Sequence, residues 1–123
     1  MGIGDGTVKH LDGHGFPVRA INVGERSNDP DQYVNLKAEY YWDLRMRAEA
    51  GRILGLTDNR AIGQLAGIKY RQNHRGQIVI ESKDDARKRG VKSPDRAEAV
   101  MLAFAEVQYP EPRLWVFNGS RYV

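Results

Sequence analysis

The sequence predicts one α/β domain, and three observations carry that prediction. Apolar residues recur at helical spacing in two stretches, Tyr33 to Ala48 and Ala97 to Phe104, which marks two amphipathic helices. Between them, Ile68 to Glu81 alternates apolar and polar residues on either side of Asn73-His74-Arg75-Gly76, the pattern of a β-hairpin. At 123 residues, 41% hydrophobic and 28% charged, the chain is long enough for one core and too short for two. Residues 1–123 therefore read as a single domain.

The chain opens with Met1-Gly2-Ile3-Gly4-Asp5-Gly6, a glycine-rich loop ahead of a short apolar-periodic segment with Val8 and Leu11. It is no dinucleotide fingerprint, because no strand precedes it and glycines at 2, 4 and 6 lack the GxGxxG spacing. A GxxxxGK(S/T) phosphate loop is absent as well, so no motif makes this an ATPase. Phe16 to Gly24 has a proline suited to the beginning of a strand, then alternates Val18, Ala20 and Asn22 against Arg19, Ile21 and Val23. That pattern predicts a mostly buried strand.

After a polar loop, Asp29 is the predicted N-cap of a long helix, with Pro30 in its first position and Gln32 three residues past the cap. Tyr33, Leu36, Tyr40, Leu44 and Ala48 form the inner face, and Gly51 lies just past the end. Tyr41 and Trp42 flank that face and stay open between core packing and stacking on bases. Thr57 to Leu65 predicts a short helix capped by Thr57 or Asp58, with Ile62 and Leu65 turned inward.

Beyond the hairpin, Ser82 with Asp85 three residues on makes a capping pattern for a short helix through Arg89, ended by Gly90. Ser93, Pro94 and Asp95 then open the last helix as N-cap, first helical residue and first-turn acid. Its core face is Ala97, Val100, Met101 and Phe104. Tyr109 to Pro112 breaks regular structure, and Arg113 to Phe117 is apolar enough for an edge strand or a docked tail.

Composition narrows the function. Cysteine is absent, so there is neither a disulfide framework nor a thiolate metal site, as suits a reducing cytoplasm. The longest apolar run, Ala99 to Ala105, has seven residues, too few to span a membrane, and no signal-peptide pattern occurs. Formal net charge is +3, yet Lys69 to Arg96 holds nine of the 19 basic residues against four acids. Such a concentration suits a phosphate backbone, and it equally describes a solvated helix face with pairs such as Asp84 and Lys88.

Asp95 sits between these clues, on rigid backbone at the mouth of a buried helix, with Lys92 before it and Arg96 directly after. It reads as a dipole-complementing acid, and a carboxylate fixed this way can also serve as a metal ligand. Glu81-Ser82-Lys83 ends an apolar strand and satisfies the ExK half of a restriction-type nuclease signature. Its upstream half, Pro30-Asp31, falls at a helix start rather than on a strand. His74 reads as a turn residue.

The run SKDDARKRGVKSPDRAEAVMLAFA (Ser82 to Ala105) resembles the C-terminal motif of phage large terminase subunits, DNA-packaging motors whose second domain is a ribonuclease H-like nuclease. PVRAINVGERSNDPDQYVNLKAEYYWDLR (Pro17 to Arg45) and IKYRQNHRGQIVIESK (Ile68 to Lys83) resemble that domain too, in the same order. The resemblance covers Gly2 to about Ala105 and leaves 106–123 as a tail. It implies an α/β fold of the ribonuclease H-like kind, partial, with a β-hairpin insertion, forming the C-terminal part of the nuclease domain.

In that family the Asp of Ser-Pro-Asp-Arg is a catalytic metal ligand, and it maps onto Asp95. Glu98, one turn on, stands where another family acid falls and is the implied outer ligand. Two divalent ions, Mg²⁺ or Mn²⁺, are expected in the intact domain, with weak binding here, because two further acids belong on strands upstream of Met1. Asp5 lies in the loop after one of those strands, as a substitute acid. The implied function of the intact protein is metal-dependent endonucleolytic cleavage of phage DNA during packaging, with little or no cleavage by this chain alone. Lys69, Arg71, Lys83, Arg87, Lys88, Lys92 and Arg96 are the implied contacts to double-stranded DNA.

Other terminase subunits or the portal are the further partners implied, in the cytoplasm of a bacterial host and with no membrane. An exposed sheet edge at Pro17 to Val23 would favour self-association. Two alternatives stay open: a non-catalytic DNA-binding or assembly fragment from a split or decayed prophage gene, and a restriction-type nuclease built on Glu81 and Lys83.

Overall fold

The computed structural model describes residues 20–105, in which four helices pack with one hairpin. They run in the order α1 (Leu36–Glu49), α2 (Asn59–Ala66), β1 (Tyr70–Gln72), β2 (Ile78–Ile80), α3 (Lys83–Lys88) and α4 (Asp95–Ala103). The core lies between α1 and α4, where Leu36, Tyr40, Tyr41 and Leu44 bury against Met101. Predicted inner-face residues Tyr33, Leu36, Tyr40 and Leu44 are buried as their spacing requires. Ala48 is exposed. Near the end of α1 the Arg47 guanidinium lies 5.2 Å from the Phe104 ring centroid.

α1 starts later than its sequence signal. Asp29-Pro30-Asp31-Gln32 folds as a turn, with the Asp29 carbonyl accepting from the N–H groups of Gln32 (3.1 Å) and Tyr33 (3.0 Å). The chain then runs beside β2 instead of continuing as helix: Ile78 N–H donates to the Gln32 carbonyl at 2.7 Å, and Val34 N–H to the Ile78 carbonyl at 3.2 Å. The N-cap is Asn35, whose side chain accepts from Ala38 N–H at 2.9 Å. At the other end Gly51, at φ 69°, allows Arg52 N–H to reach the Arg47 carbonyl and Gly51 N–H the Ala48 carbonyl, closing the helix as a Schellman motif.

The predicted strand Phe16 to Gly24 is corrected over its described part. Ala20 to Gly24 forms no strand; Phe16 to Arg19 lie outside the described residues, as do Asp5 and the tail 106–123. The Val23 and Glu25 carbonyls accept instead from Lys37 and Leu36 N–H at 2.8 and 2.9 Å, so this backbone closes onto the first turn of α1. Ile21 and Val23 still pack against the core. Buried Glu39 fixes the following loop, accepting from Ser27 Oγ at 2.6 Å, Asn28 N–H at 2.8 Å and Asn28 Nδ2 at 3.0 Å.

The hairpin forms as predicted, antiparallel, with Tyr70 opposite Ile80 and Gln72 opposite Ile78. Asn73 Oδ1 accepts from Arg75 and Gln77 N–H, and Gly76 takes the positive φ that the reversal needs. Ser82 caps α3 through a 3.0 Å bond from Asp85 N–H. α2 is capped by Asp58, not Thr57, and it packs against α4, with Ala61 buried and Leu65 against the core. Ile62, predicted inward, falls off that face and is exposed.

Candidate functional site

Asp95 begins α4, and its surroundings differ from the capping pattern in the sequence. The helix has no side-chain cap of its own, since Ser93 Oγ donates to Asp95 Oδ1 at 2.7 Å instead of serving the backbone. The cap comes from another helix: Gln64 Oε1 on α2 accepts from Arg96 N–H at 2.9 Å and Ala97 N–H at 3.0 Å. Arg96 also pairs with Asp58, the cap of α2, and this contact holds the Asp58 carboxyl below its ordinary range. Both helix openings are thus tied together, with the exposed Asp95 carboxylate beside them.

Glu98, one turn on, faces a different group. Lys83 Nζ, one residue past the cap of α3, lies 3.2 Å from Glu98 Oε2. Lys37 on α1 completes this corner, its Nζ donating to the Glu81 carbonyl at 3.1 Å. Burial, and then the charge of Lys83, lower the Lys37 pKa. Tyr41, one turn along α1, is buried and pushed up to about 12, mainly by desolvation and secondarily by the Glu98 charge. Lys37 is a site residue that the sequence motifs do not single out; its signal is a single cation four residues before Tyr41 on an otherwise apolar helix face.

Glu81 is committed elsewhere. Arg89 grips both of its carboxylate oxygens at 2.7 Å and reaches the Gly67 carbonyl at 2.9 Å, which lowers the Glu81 pKa and raises that of Arg89. A fork of this kind ties the end of β2 to α3 and to the end of α2. It leaves no free carboxylate for an ExK site.

The basic residues divide into two groups. Arg87 pairs with Asp84 at 3.3 Å and Lys88 with Asp85 at 4.0 Å, both three residues apart on α3, rather than Asp84 with Lys88. Lys69, Arg71 and Lys92 are exposed, with no ion pair among the described residues. Tyr41, open in sequence, belongs to the core. Trp42 meets Tyr70 edge-on at 4.8 Å, and the Arg45 guanidinium lies 4.7 Å from the Trp42 ring centroid.

These donors do not by themselves fit a metal pair. Among the described residues no group of three His, Cys, Asp or Glu side chains converges, and Glu98 is already engaged by Lys83. No described helix is long and apolar enough to cross a membrane.

Comparison with known proteins bears on the fold. No family model and no curated protein matches the sequence. Among solved structures, the chain is similar to the nuclease domain of the large terminase subunit gp2 of bacterial virus Sf6, at 16% identity and TM-score 0.54, over 87% of this chain and 63% of that one. It is also similar to a lysine-to-alanine mutant of that domain with manganese and beta-thujaplicinol, at 16% identity and TM-score 0.50, over 85% of this chain and 64% of that one. The chain thus spans less than two thirds of the length of these structures. What it shares with them is the fold of a terminase nuclease domain, in part.

Proposed function

We propose that this chain is part of a ribonuclease H-like nuclease domain of a phage large terminase subunit, acting on double-stranded DNA with divalent metal ions, in the host cytoplasm. The observation that carries the reading is the fold likeness to a terminase nuclease domain over 87% of the chain. It is supported by the place of Asp95 at the opening of α4, in a chain segment rich in cations. In this reading Asp95 is the catalytic metal ligand and Glu98 an outer one, released from Lys83 when metal and phosphate enter.

Lys69, Arg71, Lys83, Arg87, Lys88, Lys92 and Arg96 are the proposed phosphate contacts. Lys69, Arg71 and Lys92 lead, because they have no carboxylate to give up. Two-metal phosphodiester hydrolysis needs several carboxylates converging on ions about 3.5–4 Å apart. The described residues supply Asp95 and an engaged Glu98, so the remaining ligands come from outside them.

The test is Mn²⁺ titration of the chain, read by paramagnetic broadening in its amide spectrum. Broadening should appear first at Asp95, Glu98 and Lys92, with weak affinity, and Asp95→Asn should remove it while leaving the spectrum folded. Broadening centred elsewhere overturns the assignment. Should it be absent from Asp95 while duplex DNA still binds with steep salt dependence, the chain is the non-catalytic DNA-binding module that its unpaired cations also fit.

A further inference from the structure

A cavity of about 450 Å³ opens between α2, α3, the end of β2 and the loop before α4. Its charge is one-sided: Lys37, Arg60, Lys83, Arg89 and Lys92 line it against the lone carboxylate of Glu81, which Arg89 already grips. Arg60 and Lys92 have no ion pair among the described residues, and Lys37 donates to the Glu81 backbone carbonyl rather than to a carboxylate. The remaining walls are largely apolar, from Ile68, Ile80, Val91 and Pro94. Cations around an apolar interior match an anion attached to a flat, weakly polar body.

A further feature narrows the ligand. Gln64 lines the same cavity, and its Oε1 is fixed as the acceptor for two α4 N–H groups. Its amide orientation follows from those donors, so Nε2 keeps two hydrogens with no protein partner among the described residues. Such a donor suits a carbonyl-bearing base edge. The volume falls inside the range of about 300–1,000 Å³ typical of small-molecule sites, and an inorganic phosphate would leave the apolar walls uncovered.

We infer that this cavity binds a nucleotide, with the phosphate between Lys37, Lys92 and Arg60 and the base against the Ile68, Ile80, Val91 and Pro94 walls, its carbonyl edge toward Gln64. The site needs no metal, and it goes beyond the nuclease reading. One chemistry could arrive from two sources: a free nucleoside monophosphate, or the 5′-phosphorylated end of a DNA strand.

The experiment is a set of titrations of the full chain in EDTA with dTMP, thymidine, inorganic phosphate and a 5′-phosphorylated thymidine pentamer, followed by calorimetry and amide shifts. dTMP should bind at least about tenfold more tightly than thymidine or phosphate, because both halves of the ligand are held. Arg60→Glu with Lys92→Glu should weaken it at least about tenfold, by reversing two unpaired charges.

Gly63→Phe supplies a steric arm. Gly63 lines the cavity, and a Cβ added there meets nothing within 4 Å, so a ring can be introduced at the cavity wall without a clash and with every charge kept. It should abolish dTMP binding with an unchanged circular dichroism spectrum. Equal affinity for phosphate and dTMP, or dTMP binding unaffected by the charge reversal, overturns the site. A pentamer that binds more tightly than dTMP, and is lost with Gly63→Phe while every charge is kept, assigns the site to a strand end; the reverse order assigns it to free nucleotide. EDTA keeps the outcome separate from the Mn²⁺ test at Asp95, so either reading can fail while the other stands.

Discussion

The two sides of this small domain are held by different physics. Between α1 and α4, Leu36, Tyr40, Leu44 and Met101 bury apolar surface. Around the cationic cavity, α2, α3 and the end of β2 are joined by polar contacts: the Arg89 fork on Glu81 and Gly67, the Lys83 pair with Glu98, and the Gln64 cap on α4. Apolar burial is nearly indifferent to salt and mild pH change, whereas exposed charge contacts are screened by one and titrated by the other. The first side fixes where the helices lie. The second presents groups that a charged ligand can recruit without disturbing the core.

The largest effect should come from the apolar side. Met101 is fully buried, so Met101→Ala removes its contacts and leaves a cavity that the α1 aromatics cannot fill without moving. The expected loss is about 2–5 kcal/mol, enough to unfold much of a domain this small. Urea unfolding measures it. A loss below about 1 kcal/mol would mean that the α1–α4 contact is not the stabilising centre and that the contrast fails.

The apolar side is also the more legible in sequence, for a physical reason. Periodicity reports burial directly, so the spacing of Leu36, Tyr40, Leu44, Ala97 and Met101 is enough to place them inside, and Asn73 to Gly76 announces its turn through local chemistry. Contacts that depend on distant chain segments are not legible. Asp29 carries a cap signal as strong as that of Asn35, and only the approach of Ile78 to Gln32 and Val34 decides between them. Ser93 looks like the cap of α4, and nothing in its neighbourhood reveals that Gln64, in another helix, takes that place. Lys37, Arg60 and Lys92 likewise become one cavity only once α1, α2 and the 91–94 loop have met.

The polar side offers an intermediate effect that sharpens the comparison. Gln64→Ala strips the α4 N-terminus of the acceptor for two backbone N–H groups and should cost about 0.5–2 kcal/mol, the usual range for a lost N-cap. Ser93→Ala, which the sequence would rank first, should be nearly neutral, because the Ser93 hydroxyl reaches only the exposed Asp95 carboxylate. Thermal melts of the two variants side by side decide the matter. A larger loss for Ser93→Ala would return the cap to the local chain.

An effect smaller than the loss of the Gln64 cap is the one whose size depends on pH. Arg89 lowers the Glu81 pKa in the folded chain, so the charged form of Glu81 is favoured by folding. Stability from this contact is fully present above the unfolded carboxyl pKa, about 4.3 for a free Glu, and it is lost as pH falls through the depressed folded value. Arg89→Met keeps the aliphatic stem and removes the charge. At pH 7 the variant should melt below the parent by a modest margin, since the Arg89 and Glu81 side chains are 32% and 15% exposed and water screens their attraction. As pH falls through the depressed folded value the two melting temperatures should converge, because a protonated Glu81 no longer distinguishes them. The Asp58–Arg96 pair titrates in the same direction, but it is present in both chains and cancels in the difference. Raising salt at pH 7 should narrow the same gap while leaving the deficit of Met101→Ala nearly untouched. A gap that did not narrow at all on acidification, or that widened, would show that Arg89 acts through packing or its bond to the Gly67 carbonyl, and both sides of the domain would then rest on the same kind of contact.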